Sequence, residues 1–220
     1  MKYNKISLEE GSKKEWIITN GIGGFASSTI LGVNTRRYHG LLIAPLTPPA
    51  RRQMILSKVD ESIELDGKKY DLYTNMCKNY IAKGYQYLKS FEKEYIPIFT
   101  YQVEDVVIKK YICMEYGKNT VTIFYQIQNQ NHNGKMILTP LLNFRDFHSE
   151  SFRHDFIMEQ EEKNRKLKVI LDHNSQNPIY LYASEGKYIE HIEDSFQNMF
   201  YIEEEKRGFN AEENHAIPGR

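Results

Sequence analysis

The 220-residue chain carries 29 Lys and Arg side chains and 29 Asp and Glu side chains, so its formal charge is zero. This balance argues against nucleic acid and anionic membrane partners, since both need a positive field, and no segment has the apolar length of a membrane span. Residues 1–5 are basic, but polar and charged residues follow where a signal peptide has its apolar core. The sequence therefore predicts a cytoplasmic protein.

The first predicted strand, residues 16–19, leads into a glycine-rich segment. Gly21, Gly23 and Ala26 formally match the dinucleotide-binding pattern G-x-G-x-x-A, and Gly24 is a third glycine within it. The next residues do not favour the helix which that fold requires, and no acidic residue stands about 20 positions on to bind a ribose. We therefore interpret the three glycines as backbone-turn residues that let the chain reverse between strands.

Two arginines and a histidine precede the next predicted strand, residues 40–46. Arg36, Arg37 and His39 could form a polar site at the mouth of this strand, where guanidinium groups bind hydroxyls or carboxylates. Alternatively, both arginines pair with acidic neighbours while His39 is a satisfied, partly buried imidazole. The three side chains are candidates for substrate binding or for a domain interface.

Antiparallel strands are predicted along the middle of the chain. Asp66-Gly67 is typical of a hairpin turn between strands at residues 61–65 and 69–73. Residues 120–128 alternate apolar and polar side chains, which predicts one buried face, whereas the apolar run at 135–142 predicts a strand covered on both faces. Further strands are predicted at residues 53–58, 98–104, 106–114, 156–161, 167–171, 179–183 and 187–192.

Residues 143–155 lack periodicity and carry clustered charges, which predicts a long functional loop. Its candidates for substrate binding or a domain interface are Arg145, Asp146 and His148. Asp146 and Glu150 could act as a general acid and base, as glycosidases require, but the sequence does not give their separation in space. Pairing of Asp146 with an arginine is the alternative.

Metal and cofactor sites are not expected. His148, His154 and Asp155 match no metal-ligand spacing, and neither do Cys77 and Cys113, which are interpreted as reduced structural cysteines.

The fold class follows from the many short strands. Without a convincing apolar period of 3.6 residues, they predict an all-β protein, a large antiparallel two-sheet β-sandwich. No linker or repeat divides the chain, so residues 1–220 are expected to form a single domain. Residues 216–220 show no closing element, and we expect the domain to be a fragment of a longer chain.

Four blocks of sequence, in order along the chain, carry a resemblance. They are EWIITNGIGGFAS at 15–27, TRRYHGLL at 35–42, NFRDFH at 143–148, and EKRGFN at 205–210 followed by Glu212-Glu213 and Pro218-Gly219. Together they resemble the N-terminal domain of bacterial and archaeal glycogen debranching enzymes of the amylo-α-1,6-glucosidase type. The last block departs from the family pattern at Phe209-Asn210 and Asn214-His215, where Leu-Asp and an Asp-Leu-like pair are expected.

The resemblance implies a supersandwich that precedes an (α/α)6-barrel glycosidase domain. In such enzymes the carboxylates that cleave the α-1,6-linked branch glucose lie in the C-terminal barrel, whose dozen helices this sequence does not predict. We therefore expect no catalytic residues here, and a domain that supports or lines the active-site cleft. Its expected partners are the C-terminal (α/α)6 catalytic domain of the same chain and glycogen or another α-glucan.

Two other hypotheses stay open. A free-standing carbohydrate-binding β-sandwich would use exposed tyrosines as a stacking platform, and the coding sequence beyond Arg220 distinguishes it from a debranching-enzyme fragment. A self-contained hydrolase acting through Asp146 and Glu150 would release glucose from a branched limit dextrin by itself.

Overall fold

The computed structural model describes residues 1–152, 156–190 and 195–220. Strands make up most of the regular structure, and the α-helices α1 Leu8–Gly11 and α2 Ile202–Lys206 have only four and five residues. A 3-10 helix spans Gly84–Tyr87. The strands in chain order are β1 Lys2–Asn4, β2 Glu15–Thr19, β3 Phe25–Thr29, β4 Gly40–Thr47, β5 Ala50–Leu65, β6 Lys68–Asp71, β7 Thr74–Cys77, β8 Tyr80–Lys83, β9 Leu88–Lys93, β10 Pro97–Val103, β11 Val106–Met114, β12 Val121–Gln128, β13 Gly134–Asp146, β14 Met158–Lys163, β15 Lys166–Leu171, β16 Ile179–Tyr182, β17 Ser195–Phe200 and β18 Glu212–Ala216.

These strands form three sheets, and every pairing between named strands in the described residues is antiparallel. The largest sheet has the order β2-β3-β4-β5-β13-β18-β17-β7-β8, with β6 beside β5. A five-stranded sheet has the order β1-β9-β10-β11-β12, and a small sheet has the order β14-β15-β16. The predicted all-β, antiparallel class is confirmed, and the small third sheet is an addition to the expected two.

The ten-stranded and five-stranded sheets pack face to face around one core. Along β11 every second residue is buried, including Val106, Ile108 and Ile112, because successive side chains of a strand point to opposite faces. Trp16 of the large sheet meets Phe99 of the smaller one edge to face, with ring centroids 6.3 Å apart. Burying each such side chain contributes roughly 1.5–3 kcal/mol, so this layer holds the sandwich together.

Several sequence predictions are confirmed in detail. Asp66 and Gly67 have φ of 50° and 83° and connect β5 to β6 as a two-residue turn. In β12, Val121, Ile123 and Tyr125 pack against the core. The strands predicted at 53–58 and 61–65 are one continuous strand, β5, which runs through the centre of the large sheet.

Two predictions in the second half of the chain are wrong. Residues 143–146 belong to β13 and not to a loop, with Arg145 opposite Met54 of β5. The strand predicted at 187–192 is absent from the described residues of that range, where Glu190 forms an isolated bridge with Gly219. Residues 191–192, like 153–155 of the predicted loop, lie outside the described residues.

The end of the chain contains a strand that hydrophobic patterning did not predict. β18 lies between β13 and β17, and the side chains of Glu213 and His215 within it are fully buried. The buried side chains of β18 are mostly polar, and ion pairs and hydrogen bonds compensate for their burial. The strand therefore lacks the apolar pattern from which strands are predicted.

Within the described residues, no helix is long and apolar enough to span a membrane.

Candidate functional site

The glycine-rich segment forms the turn between β2 and β3. Gly21 and Gly23 have φ of 79° and 100°, a region that glycine adopts most readily. The buried Asn20 side chain accepts hydrogen bonds from the backbone N–H of Ile22 at 3.2 Å and Gly24 at 2.8 Å. A Cβ on Gly24 would lie 2.5 Å from this amide. A strand follows the turn in place of the helix that a dinucleotide site needs.

Three of the four resemblance blocks contribute to a buried group of charged side chains that we call the Arg–Glu cluster: Arg37, Arg145, Glu150, Glu204 and Glu213. Arg37 precedes β4 and donates to Glu204 of α2 from Nε at 3.1 Å and from Nη2 at 2.9 Å. Its Nη1 lies 2.9 Å from Glu150 Oε1, which is an ion-pair distance without hydrogen-bond geometry. These contacts join segments more than a hundred residues apart.

Arg145 and Glu213 form the other half of the cluster. Arg145 binds Glu213 through both Nε and Nη2, the latter at 2.8 Å, and Nη2 also donates to the backbone oxygen of Arg37 at 2.8 Å. The Glu213 carboxylate also accepts from the Tyr201 hydroxyl and from the Ser151 N–H. Arg37 and Arg145 therefore connect α2, β13, β18 and the segment that precedes β4 through direct contacts.

The protonation of Glu213 follows from these partners. Burial raises the pKa of this carboxyl, but the Arg145 charge and the interaction with His215 outweigh it and lower the pKa to about 2. Because the folded value lies below the ordinary 4.5, Glu213 stabilises the fold above about pH 4.5. That contribution is lost as the pH falls through about 2.

Arg36 and His39 lie beside the cluster around Glu15 of β2. Arg36 Nε donates to Glu15 Oε1 at 2.7 Å. The His39 ring is buried, accepts the Thr35 N–H on Nδ1 at 3.0 Å, and places Nε2 3.6 Å from Glu15 Oε1. The interaction with His39 has the largest effect on Glu15 and lowers the pKa of its carboxyl. Burial opposes this effect and Arg36 adds to it, so that the pKa is about 2. Both arginines thus pair with acidic neighbours, the second of the two interpretations left open by the sequence.

Exposed and half-buried aromatic side chains cover the cluster on its solvent side. The rings of Tyr38 and Phe147 are 5.7 Å apart, and His148 packs 4.0 Å from Phe147. The Arg37 guanidinium lies 4.9 Å from the centre of the Phe209 ring, which is 52% exposed. We call the surface formed by Tyr38, Phe147, His148 and Phe209 the motif face.

Asp146 points away from the Arg–Glu cluster. Its side chain is exposed and accepts the backbone N–H of His148 at 2.9 Å, while Arg145 turns inward to Glu213. Sequence reasoning did not identify Glu204 and Glu213 as partners of the arginines. The only signal was the acidic character of the last block, and the separation of the partners in sequence concealed the pairing.

In the described parts of the chain, no set of three or more His, Cys, Asp or Glu side chains is arranged to hold a metal ion. His154 and Asp155, which were considered with His148, lie outside those parts.

A family comparison covers all four of these blocks. The family model described as glycogen debranching enzyme N terminal matches residues 14–220, which include every block on which the resemblance rests. Searches among curated proteins and among solved structures returned no significant match. The match covers far more than half of the chain, and the chain therefore belongs to the family of glycogen debranching enzyme N-terminal domains.

Proposed function

We propose that this chain is the non-catalytic N-terminal domain of an enzyme that hydrolyses α-1,6-linked glucose at glycogen branch points. In this proposal residues 1–220 form one domain of a longer cytoplasmic chain, and the motif face packs against the C-terminal (α/α)6 catalytic domain and lines its glucan cleft. The observation that carries the proposal is the meeting of Arg37, Arg145 and Glu213, which come from three separate resemblance blocks, in the Arg–Glu cluster beneath that face.

The chemistry of the motif face suits a domain seam. Interface residues that contribute most to binding are enriched in aromatic side chains and arginine, and they bind best when they are held in place beforehand. Arg37 is held by Glu204, and Phe209 lies against the Arg37 guanidinium. The exposed rings therefore rest on a fixed base and lose little conformational freedom when a partner covers them.

The carboxylates of the cluster favour a structural role over catalysis. A glycosidase acid must hold a proton near neutral pH, which requires a raised pKa. Glu213, with a pKa of about 2, is committed to Arg145. Burial raises the pKa of Glu150, with Arg37 opposing, but its carboxylate faces Arg37 and not an open cleft between two acids. Glucose release from a limit dextrin by this chain alone would contradict the proposal.

The docking part is tested by binding in trans. A separately expressed (α/α)6 catalytic domain of a debranching enzyme is titrated with the chain, and Phe209→Ala should weaken the complex by about tenfold or more, or about 1.4 kcal/mol. The matched control is Phe124→Ala, because Phe124 is 60% exposed on β12, in the other main sheet. Equal affinities for the two variants, with unfolding midpoints unchanged, would refute docking through the motif face.

A further inference from the structure

A concave surface lies in the ten-stranded sheet, between the β7–β8 hairpin and β17. β7 meets β17 at the pair Cys77 and Met199, and a bulge interrupts the pairing of β17 with β18 between Phe196 and Met199. Asn198, within the bulge, has a φ of 63°. Phe196, Gln197 and Asn198 line a pocket of about 440 Å³, which falls within the range of about 300–1000 Å³ typical of small-molecule sites.

The lining of this pocket combines aromatic rings with uncharged amides. Tyr73, Tyr80 and Phe196 supply the rings, and the Tyr80 side chain is 64% exposed at the sheet edge. The exposed amides of Asn79 and Gln197 each offer a donor and an acceptor. Rings with apolar faces beside groups that both donate and accept match a ligand with apolar CH faces and many hydroxyls.

The electrostatics of the pocket favour a neutral ligand. Its cation, Lys78, is paired with Glu212 at 2.7 Å and so does not offer a free charge to an anion. Burial raises the pKa of the Cys77 thiol, which keeps that side chain neutral as well. Phosphorylated or acidic ligands would therefore find little compensation here, whereas hydroxyl groups would meet neutral donors and acceptors.

We propose that the pocket between the β7–β8 hairpin and β17 binds a neutral oligosaccharide, with Tyr80 and Phe196 against the sugar faces and Asn79 and Gln197 on the hydroxyls. The choice of an α-glucan as this ligand rests on the proposed function. Phe196 also packs against the small buried cluster that contains Tyr201, and the Tyr201 hydroxyl donates to Glu213. The pocket is thus built on the same strands as the Arg–Glu cluster, yet its lining contains no member of that cluster.

The test is titration of the chain with maltoheptaose, followed by calorimetry. Tyr80→Ala and Gln197→Ala should each weaken binding by about tenfold, or about 1.4 kcal/mol. The matched control is Tyr182→Ala, which removes a ring of similar exposure, 69%, from the small sheet and should leave the affinity unchanged. Unfolding midpoints of the variants verify that the sheet edge is intact.

The outcomes separate this proposal from the domain's role in the enzyme. No binding by the unaltered chain, or equal affinities for Tyr80→Ala and Tyr182→Ala, overturns the pocket while leaving docking through the motif face untouched. If Phe209→Ala weakens maltoheptaose binding and Tyr80→Ala does not, the glucan binds at the motif face, and the proposed site in the pocket is refuted. Loss of docking to the catalytic domain in Phe209→Ala, with maltoheptaose binding retained, supports both proposals.

Discussion

Glu213 is the acidic side chain of the Arg–Glu cluster whose two oxygens both accept hydrogen bonds. It is completely buried, and its two oxygens accept from Arg145, Tyr201 and Ser151. A charge in such a position is tolerated only because every lone pair has a donor, so its value lies in fixing the geometry of the surrounding segments more than in net stability. The neighbouring Glu212 is half-buried and pairs with the exposed Lys78.

This contrast gives a prediction at two adjacent positions. Glu213→Gln should destabilise the fold by about 3–5 kcal/mol, because it leaves the Arg145 charge buried without its counter-charge. Glu212→Gln should cost less than about 1 kcal/mol, since exposed ion pairs are weak. Urea unfolding monitored by circular dichroism measures both, and similar losses at the two positions would contradict the account of the cluster.

At the scale of elements, three turns at one end of the sandwich meet at His132. The ring lies in the β12–β13 connection, with Nδ1 2.6 Å from Asp66 in the β5–β6 turn and Nε2 2.7 Å from Asp105 in the β10–β11 turn. Hydrogen bonds to Asp66 and then Asp105 raise the pKa of His132. The contact with His132 lowers the pKa of Asp66, and hydrogen bonds from Asn131 and then His132 lower the pKa of Asp105. Turns of the two main sheets are thereby joined by an ionic contact.

The sign of the resulting pH dependence follows from these directions. The His132 contribution is fully present below the ordinary histidine pKa of about 6.5 and is lost as the pH rises through the raised value. The carboxylate contributions are present above about pH 4 and are lost as the pH falls. His132→Gln should therefore lower the urea midpoint more at about pH 5.5 than at about pH 9.

Titration of the His132 ring by nuclear magnetic resonance provides the control. Its pKa should move back toward about 6.5 when Asp66→Asn and Asp105→Asn are combined. An equal change in urea midpoint for His132→Gln at both pH values would show that the ionic contact does not form in solution.

At the scale of the whole molecule, a buried ion pair connects the two main sheets. Lys110 takes an inward position on β11, where the strand pattern would place an apolar residue, and its Nζ binds Glu61 of β5. Tyr125 on β12 donates its hydroxyl to the same carboxylate at 2.7 Å. The facing sheets are thus held in one relative position by a polar contact as well as by apolar packing.

A double-mutant cycle tests the role of this pair. Lys110→Met should cost about 3–5 kcal/mol, because it leaves the Glu61 carboxylate buried without a cation. Adding Glu61→Gln removes that charge and still gives Tyr125 an acceptor, so the double variant should be more stable than Lys110→Met alone. Additive losses in urea unfolding would refute the coupling between the two sheets.

The sequence predicted strands wherever apolar side chains follow the period of the pleat. That is why β11, β12 and the Asp66-Gly67 turn were predicted closely. It did not predict β3, with its run of Ser and Thr, or β18, with its Glu, Asn and His, because buried polar side chains look like surface residues to any hydrophobic pattern. For the same reason, the polar residues at the end of β13 were predicted to form a loop.

For the candidate site, the distinctive residue types and blocks are visible in the sequence, and they identify the family. The pairing of Arg37 and Arg145 with Glu204 and Glu213, the exposure of Asp146 and the position of Phe209 over Arg37 follow from the folded structure alone. The physical reason is that local composition specifies how a segment can be buried, whereas an ion pair between residues 37 and 204 is fixed by the strand order of the sheet, which composition does not encode.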